Sequence, residues 1–532
     1  MKFGLKAILV IFLTAFFCIY PPLRNYKQND IKAAFDYFAA DAFYYLNVAD
    51  NYQKTGFSTY DGIHSTNGFH PLWQYILNFS FTKIDNPEVQ IKFVFFLSIL
   101  LVSLGAVFLS IALLKFFDSF SLSLITIIPG FLFLLFSFVV FPYGSPWSFM
   151  NGMETPLSIF LFGLFFLILS FSKDLNSLGH IKLFILSVFL TFITFSRLDD
   201  IFLLVAFSIL LIFKSERKER LRKSIIFLAF PFTLLTAYLI YNLSYSGFLL
   251  PVSGLIKSNF SFDNFIYTFS SLTSFGIKDN FFGEHSYWRV IFLWIPLLFA
   301  AYYLNKNFSK SSNEFWILIP LSFYIVIKAL YDLFFVNFWD QGHWYFALSI
   351  IITNILIGET IQKFKTNKIP SILVVISVLI ITIIYANFFM EKFRFKENKY
   401  YEFWQKRHKI EKQISEIYEG KGIIEFDDGI IAWSLNYPII SGTGLNLDKE
   451  AFEYYKKGEF IDLAVKRAYS AMASVLYINP PNEALTDSVK FNNWIKNSFP
   501  ALKKQNLENW KFSLKFYDKE TNFYLVGIEE KN

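Results

Sequence analysis

The chain has 532 residues, a formal net charge of +7, 54% hydrophobic residues and 70 phenylalanines, and its mean hydropathy is +0.41. That much apolar surface exceeds what a water-soluble core can bury, which excludes an ordinary soluble enzyme and predicts a polytopic membrane protein. Basic inner loops account for the positive charge, and nothing in it calls for nucleic acid.

Apolar runs long enough to cross a hydrocarbon layer of ~30 Å recur about eleven times. They lie near residues 5–23, 89–114, 122–142, 155–172, 182–196, 200–213, 224–243, 287–304, 314–336, 343–361 and 370–390. Lys2 and Lys6 precede the first run, but no small-x-small cleavage site follows near Pro21 and Pro22, so it reads as an uncleaved span. The single cysteine, Cys18, lies within it and reads as a buried, inert thiol. The densest basic run, Lys214 to Lys223, fixes one side as cytoplasmic. With that side inside, every other basic loop is inside too. The expected N-terminus is cytoplasmic, and the loops that carry polar motifs face outward together with the C-terminal tail.

The first outer loop, 24–88, holds Ala40-Asp41-Ala42-Phe43-Tyr44-Tyr45. A carboxylate there suits a general base acting on an incoming hydroxyl, among aromatics that exclude water and stack on sugars. Tyr44 and Tyr45, at i+3 and i+4, would share its side of a short helix. Aspartate also caps helices, and the spacing leaves both readings open. Further on, Asp61-Gly62 is followed by Thr66-Asn67-Gly68-Phe69-His70-Pro71-Leu72-Trp73. Asn67-Gly68 predicts a tight turn, and Pro71 starts an amphipathic helix over 72–81 that lies along the interface with Trp73 and Tyr75 at headgroup depth. His70 can bind phosphate or simply close its own turn.

Three more outward clusters follow. Asn151-Gly152-Met153-Glu154-Thr155 puts an acid at the lip of the fourth span, either a cavity group or a partner of the helix dipole. Arg197, Asp199 and Asp200 crowd the fifth-to-sixth turn, where an ion pair steadies the turn or the guanidinium serves a phosphate. Pro251-Val252-Ser253-Gly254-Leu255-Ile256-Lys257 offers a lysine to a phosphate or to solvent. Near the ninth and tenth spans, Trp339 to Tyr345 reads mainly as an aromatic belt, with His343 as its candidate ligand.

Beyond about Glu391 lysine, glutamate and asparagine replace phenylalanine and leucine, predicting a soluble outward domain over 391–532 after a membrane domain over 1–390. A helix through Tyr418 and strands at 423–426, 474–478, 512–516 and 523–528 predict a small α/β or α+β domain. Asp518–Asn522 is the expected hairpin turn, and no repeat of 20–50 residues stands out.

The order of these motifs resembles the GT-C superfamily of integral membrane glycosyltransferases, which includes protein O-mannosyltransferases and lipid A aminoarabinose transferases, and especially its poorly characterised bacterial and archaeal members. The matching positions are Asp41 to Tyr45, Asp61 to Trp73, Asn151 to Thr155, Arg197 to Asp199 and Pro251 to Lys257. Asp427-Asp428-Gly429 and Gly442-Thr443-Gly444-Leu445-Asn446 in the tail look similar as well. The resemblance implies a multi-pass enzyme that takes a sugar from a polyprenyl-phosphate donor at the outer leaflet and passes it to a glycan, lipid or protein acceptor.

It implies Asp41 as base and Glu154 as second acid. Tyr44, Tyr45, His70, Arg197, Asp199, Lys257 and His343 are then substrate-side residues. Relatives often carry two adjacent acids where this chain has Ala40-Asp41, so no metal is assigned; a second acid in the loop would have to be Asp36 or a distant group such as Glu154. The expected location is a bacterial inner membrane. The rivals are a transporter of lipid-linked glycans and a noncatalytic envelope scaffold; spans nearly free of charge, with polar clusters at one face, speak against transport.

Overall fold

The computed structural model describes residues 3–117, 147–172, 177–266, 293–307, 316–336, 343–363, 398–475, 487–499 and 502–531, apart from 419, 421 and 428. It is mostly helical, with one small sheet. Helices Gly4–Asn29, Pro87–Phe117, Arg220–Ser246 and Leu318–Phe335 are long and apolar enough to cross a membrane. Thr155–Ser170, His180–Ser196, Ile201–Lys214, Ile295–Asn307 and Ala347–Lys363 are shorter helices on the other expected runs. The expected spans at 122–142 and 370–390 lie outside the described residues.

Close helix packing is set by small residues. The Pro87–Phe117 and Thr155–Ser170 helices meet at Gly105 and Gly163, where a Cβ added to Gly163 would lie 2.3 Å from the Gly105 carbonyl oxygen. Only bare backbone fits there, the arrangement by which apolar helices gain contact in lipid.

The helix that follows the polar turn between the fifth and sixth expected spans is short. Ile201–Lys214 has 14 residues, about 21 Å at ~1.5 Å per residue, which is short of a ~30 Å layer. Lys214 and the basic run follow at its C-terminal end. The Leu198–Asp200 turn stands at its N-terminal end.

The helix Pro71–Phe81 forms where the sequence places it, with proline in its first turn. Trp73 departs from the expected headgroup position. It is fully buried and its indole N–H donates to the Gly152 carbonyl at 3.3 Å. Burial with a partner for the one polar atom outweighs the interface preference, and Tyr75 is left as the exposed ring.

The C-terminal part builds a five-stranded sheet in the order β2-β1-β3-β5-β4 from β1 (Gly422–Glu425), β2 (Ile439–Ser441), β3 (Tyr469–Ser474), β4 (Trp510–Asp518) and β5 (Phe523–Glu530). β1 runs parallel to β2 and β3, while β3–β5 and β5–β4 are antiparallel. The β4–β5 hairpin turns at the expected residues, with Asn522 left-handed at φ 59°. Two strands differ from expectation. The strand expected at 474–478 lies upstream as β3, which is buried along nearly all its length and shows no alternation; residues 476–478 lie outside the described part. β2 has three residues, too few for a periodic signal.

This sheet unit is docked on the first loop. Leu445 so closely covers Gly68 that a Cβ there would sit 2.0 Å from the Leu445 carbonyl oxygen. Tyr60 donates to Glu425 at 3.0 Å, Tyr469 donates to Asp61 at 2.9 Å, and the Tyr44 and Thr443 hydroxyls lie 2.6 Å apart. His64 Nδ1 adds a 2.6 Å contact to Asp61 Oδ2.

Docking should depend on pH through that pair. Burial works against the Asp61 charge, but His64 outweighs it and holds the carboxyl below its ordinary 3.8. The same hydrogen bond holds His64 above its ordinary 6.5. The Asp61 contribution is present above pH 3.8 and lost as pH falls through its lowered value; the His64 contribution is complete below pH 6.5 and lost as pH rises through its raised value. Thermal unfolding measured from about pH 5 to 9 should therefore show an alkaline loss of stability that His64→Gln flattens. An undiminished loss in the variant would place its origin elsewhere.

Candidate functional site

One cavity of about 390 Å³ gathers Asp41, Tyr44, Tyr45, His70, Glu154, Arg197, Asp199 and Lys257. These side chains come from five motifs spread over more than two hundred residues of chain. His343 opens a short 3-10 turn, His343–Phe346, but its side chain, like the loop at 337–342, lies outside the described residues. Its neighbours Trp344 and Tyr345 do line the cavity.

Neither acid serves as a helix cap. Asp41 and Glu154 stand at the N-cap positions of Ala42–Thr55 and Thr155–Ser170, yet neither side chain makes a cap hydrogen bond. The Asp41 carboxylate instead reaches into the cavity with Lys257 Nζ at 3.6 Å. Asp36, the other acid of the first loop, accepts a hydrogen bond from Asn398 at 3.2 Å and is not part of the cavity wall.

Glu154 is enclosed. It accepts from the Tyr45 hydroxyl at 2.9 Å and from Arg197 at 2.9 Å, and its side chain is 1% exposed. Burial, reinforced by the Glu154 charge, pushes the Tyr45 phenol well above its usual range, so it stays a proton-bearing donor. His70 Nδ1 accepts the Leu198 backbone N–H at 3.2 Å, which puts the ring proton on Nε2, facing Glu154 at 3.7 Å. Burial holds this imidazole below its ordinary pKa, favouring the neutral ring.

Arg197 is buried and paired with two carboxylates at the cavity wall. Its guanidinium bridges Glu154 and Asp199, each at 2.9 Å, donates to the Trp344 carbonyl and lies over the Tyr345 ring at 4.2 Å. Burial opposes the Asp199 charge, but Arg197 and then Lys328 outweigh it and hold the carboxyl well below the usual range. The ion pair expected at this turn is present, and Arg197 also lines the cavity. Lys257 stands at the cavity wall with 16% of its side chain exposed.

Two groups were missed by reading the motifs. Lys328 and Asp332 lie one turn apart on Leu318–Phe335; Lys328 pairs with Asp199, and Asp332 lines the cavity. The expected scarcity of charge within the spans is corrected here, and the signal was available, because ionisable residues inside an apolar run are functional candidates by default. The second group is Leu445 and Asn446 from the loop after β2, which form part of the cavity wall. They belong to the Gly442–Asn446 run already singled out in the tail, whose local pattern points to turns and not to this cavity.

No protein-family model matches the chain, and no curated protein matches it in sequence. Solved structures do match. The Archaeoglobus fulgidus oligosaccharyltransferase tethered with an acceptor peptide containing the NVT sequon aligns over 99% of this chain and 74% of its own, with a TM-score of 0.51 at 12% identity. Its apo form gives a TM-score of 0.51 at 11% identity with the same coverage. Its complex with Zn and sulfate gives 0.50 at 12% identity, over 97% of this chain and 72% of the other. At such identities the likeness is one of fold alone: the chain shares the fold of that archaeal protein. Among the described residues no group of three or more His, Cys, Asp or Glu side chains is placed to hold a metal ion.

Proposed function

We propose that the protein is a membrane glycosyltransferase that moves a sugar from a polyprenyl-phosphate donor to an acceptor hydroxyl on the outer side of a bacterial inner membrane. The convergence of five separate motifs on one cavity carries this reading. In it, the acceptor hydroxyl gives its proton to Asp41 as its oxygen attacks the anomeric carbon. The bond from that carbon to the phosphate oxygen breaks, and polyprenyl phosphate leaves with the electron pair. Lys257 stabilises the charge that grows on the departing phosphate. A single displacement inverts the anomeric centre.

Arg197, Glu154, His70 and Tyr45 act as the frame. Their mutual contacts hold the loop, the fourth span and the Leu198–Asp200 turn in register, so that base and cation keep their places. Lys328 and Asp332 put charge inside a span, which removes one argument against transport, and the test below separates the two readings.

The test compares envelope glycans and polyprenyl-phosphate sugars by mass spectrometry in cells with wild type, a deletion, or Asp41→Asn at matched expression. Loss of one sugar from an acceptor with accumulation of its lipid donor, in both deletion and variant, is the expected result. A deletion phenotype that Asp41→Asn does not share would favour transport or scaffolding.

A further inference from the structure

The helix that begins after Asp41 and the helix that ends in Lys257 are both pressed by bare backbone of the sheet unit. The turn after β1 reaches the first. Gly429 stands at φ 102°, so close to the start of Ala42–Thr55 that an added Cβ would lie 2.4 Å from the Tyr44 nitrogen and 2.5 Å from the Phe43 carbonyl carbon. These are backbone atoms within three residues of Asp41, and no change of rotamer moves them aside. The turn is itself held. The Glu425 carboxylate, 1% exposed, accepts the backbone N–H groups of Gly429, Ile431 and Ala432 at 3.0, 2.8 and 2.9 Å, bonds that the ionised acceptor strengthens.

The loop after β2 reaches the second helix. Gly444 stands at φ 87°, and a Cβ there would lie 2.7 Å from Ile256 Cδ1, on the residue just before Lys257 in Val252–Lys257. The same loop ties back to the Asp41 side, because the Thr443 hydroxyl lies 2.6 Å from that of Tyr44. Tyr455 steadies it by donating to the Thr443 carbonyl at 3.3 Å. At both glycines the backbone is left-handed and the facing surface leaves no room for a side chain, so glycine alone fits.

We propose that Gly429 and Gly444 are positioning residues, through which the sheet unit sets the 3.6 Å approach of Lys257 to Asp41. The proposal rests on the roles of base and phosphate cation given to those two residues above. It gives the sheet unit a part in the chemistry that is exerted through backbone contact with two elements far apart in the chain. A methyl group on Gly429 has to move from 2.4 Å to the 3.4 Å at which ordinary contact begins, and because Glu425 holds the turn, the Asp41 helix gives way. A misplacement of about 1 Å costs roughly 10²-fold in rate.

The test is turnover, by purified full-length protein, of farnesyl phosphates carrying glucose, galactose, mannose or arabinose, with envelope material from the deletion strain supplying the unmodified acceptor. In folded Gly429→Ala, isolated by size exclusion, kcat should fall roughly 10²-fold while the donor KM stays within about threefold. In Gly444→Ala the donor KM should rise roughly tenfold, and adding Ile256→Val, which removes the nearest obstructing atom, should bring it back to within about twofold of wild type. Wild-type kcat and KM in the folded fraction of both glycine variants would make the two residues structural and overturn the proposal. A raised KM that Ile256→Val leaves unchanged overturns it as well. If Gly429→Ala does not fold, the Gly444→Ala pair decides alone. Full activity of Gly429→Ala beside an inactive Asp41→Asn sinks the proposal and spares the base, whereas a wild type that transfers from none of these donors sinks the donor reading and the proposal with it.

Discussion

Arg197→Ala is expected to destabilise the protein by about 3–5 kcal/mol, because it strands the buried Glu154 charge and leaves Asp199 to Lys328 alone. The guanidinium is the partner of Glu154 and, with Lys328, of Asp199. Its side chain is 4% exposed, so water cannot take its place. Such a loss approaches the whole stability of a marginal fold, roughly 5–15 kcal/mol. Arg197→Lys should recover little, since a single ammonium cannot bridge two carboxylates and stack on Tyr345 at once. Adding Glu154→Gln to Arg197→Met should recover part of the loss by removing the stranded charge. Thermal unfolding and size-exclusion behaviour of the detergent-purified variants would check this. A variant that melts like wild type and only loses affinity for farnesyl phosphate would return Arg197 to the role of phosphate ligand.

Asp41→Asn should behave in the opposite way, folding normally and losing turnover by roughly 10²- to 10⁴-fold, the usual contribution of a general base. That corresponds to about 3–5 kcal/mol of barrier. The structural cost is small because the carboxylate makes no cap hydrogen bond and its cationic contact is a 3.6 Å approach to Lys257 at the cavity wall. Lys257→Ala should differ again, raising the KM for the lipid donor and slowing departure of the phosphate. Rates measured on a short-chain polyprenyl-phosphate sugar, beside melting temperatures, separate these effects. Wild-type turnover in Asp41→Asn would remove the base from Asp41.

The membrane class was legible from composition, because apolar content at this level has no soluble solution. The motifs were legible as well, since Asp41, His70, Glu154, Arg197 and Lys257 each stand in a short run with its own local reason to be polar. Local spacing could not choose between helix cap and cavity group for Asp41 and Glu154. That choice depends on where the side chain points once neighbouring helices are packed, and both turn away from their own backbone. The position of Trp73 was misjudged for the same reason, because Gly152, which receives its hydrogen bond, is distant in sequence.

The sequence by itself determined the class of protein, the chain order of the apolar helices and the identity of nearly all the polar groups, because hydropathy and turn chemistry act over a few residues. Tertiary structure alone decided that these groups share one cavity, that Arg197 pairs with Glu154 and Asp199, that Lys328 and Asp332 join them from within a span, and that Asn446 reaches them from the sheet unit. Ion pairing and burial depend on distances between segments far apart in the chain, and those distances exist only after the helices have packed.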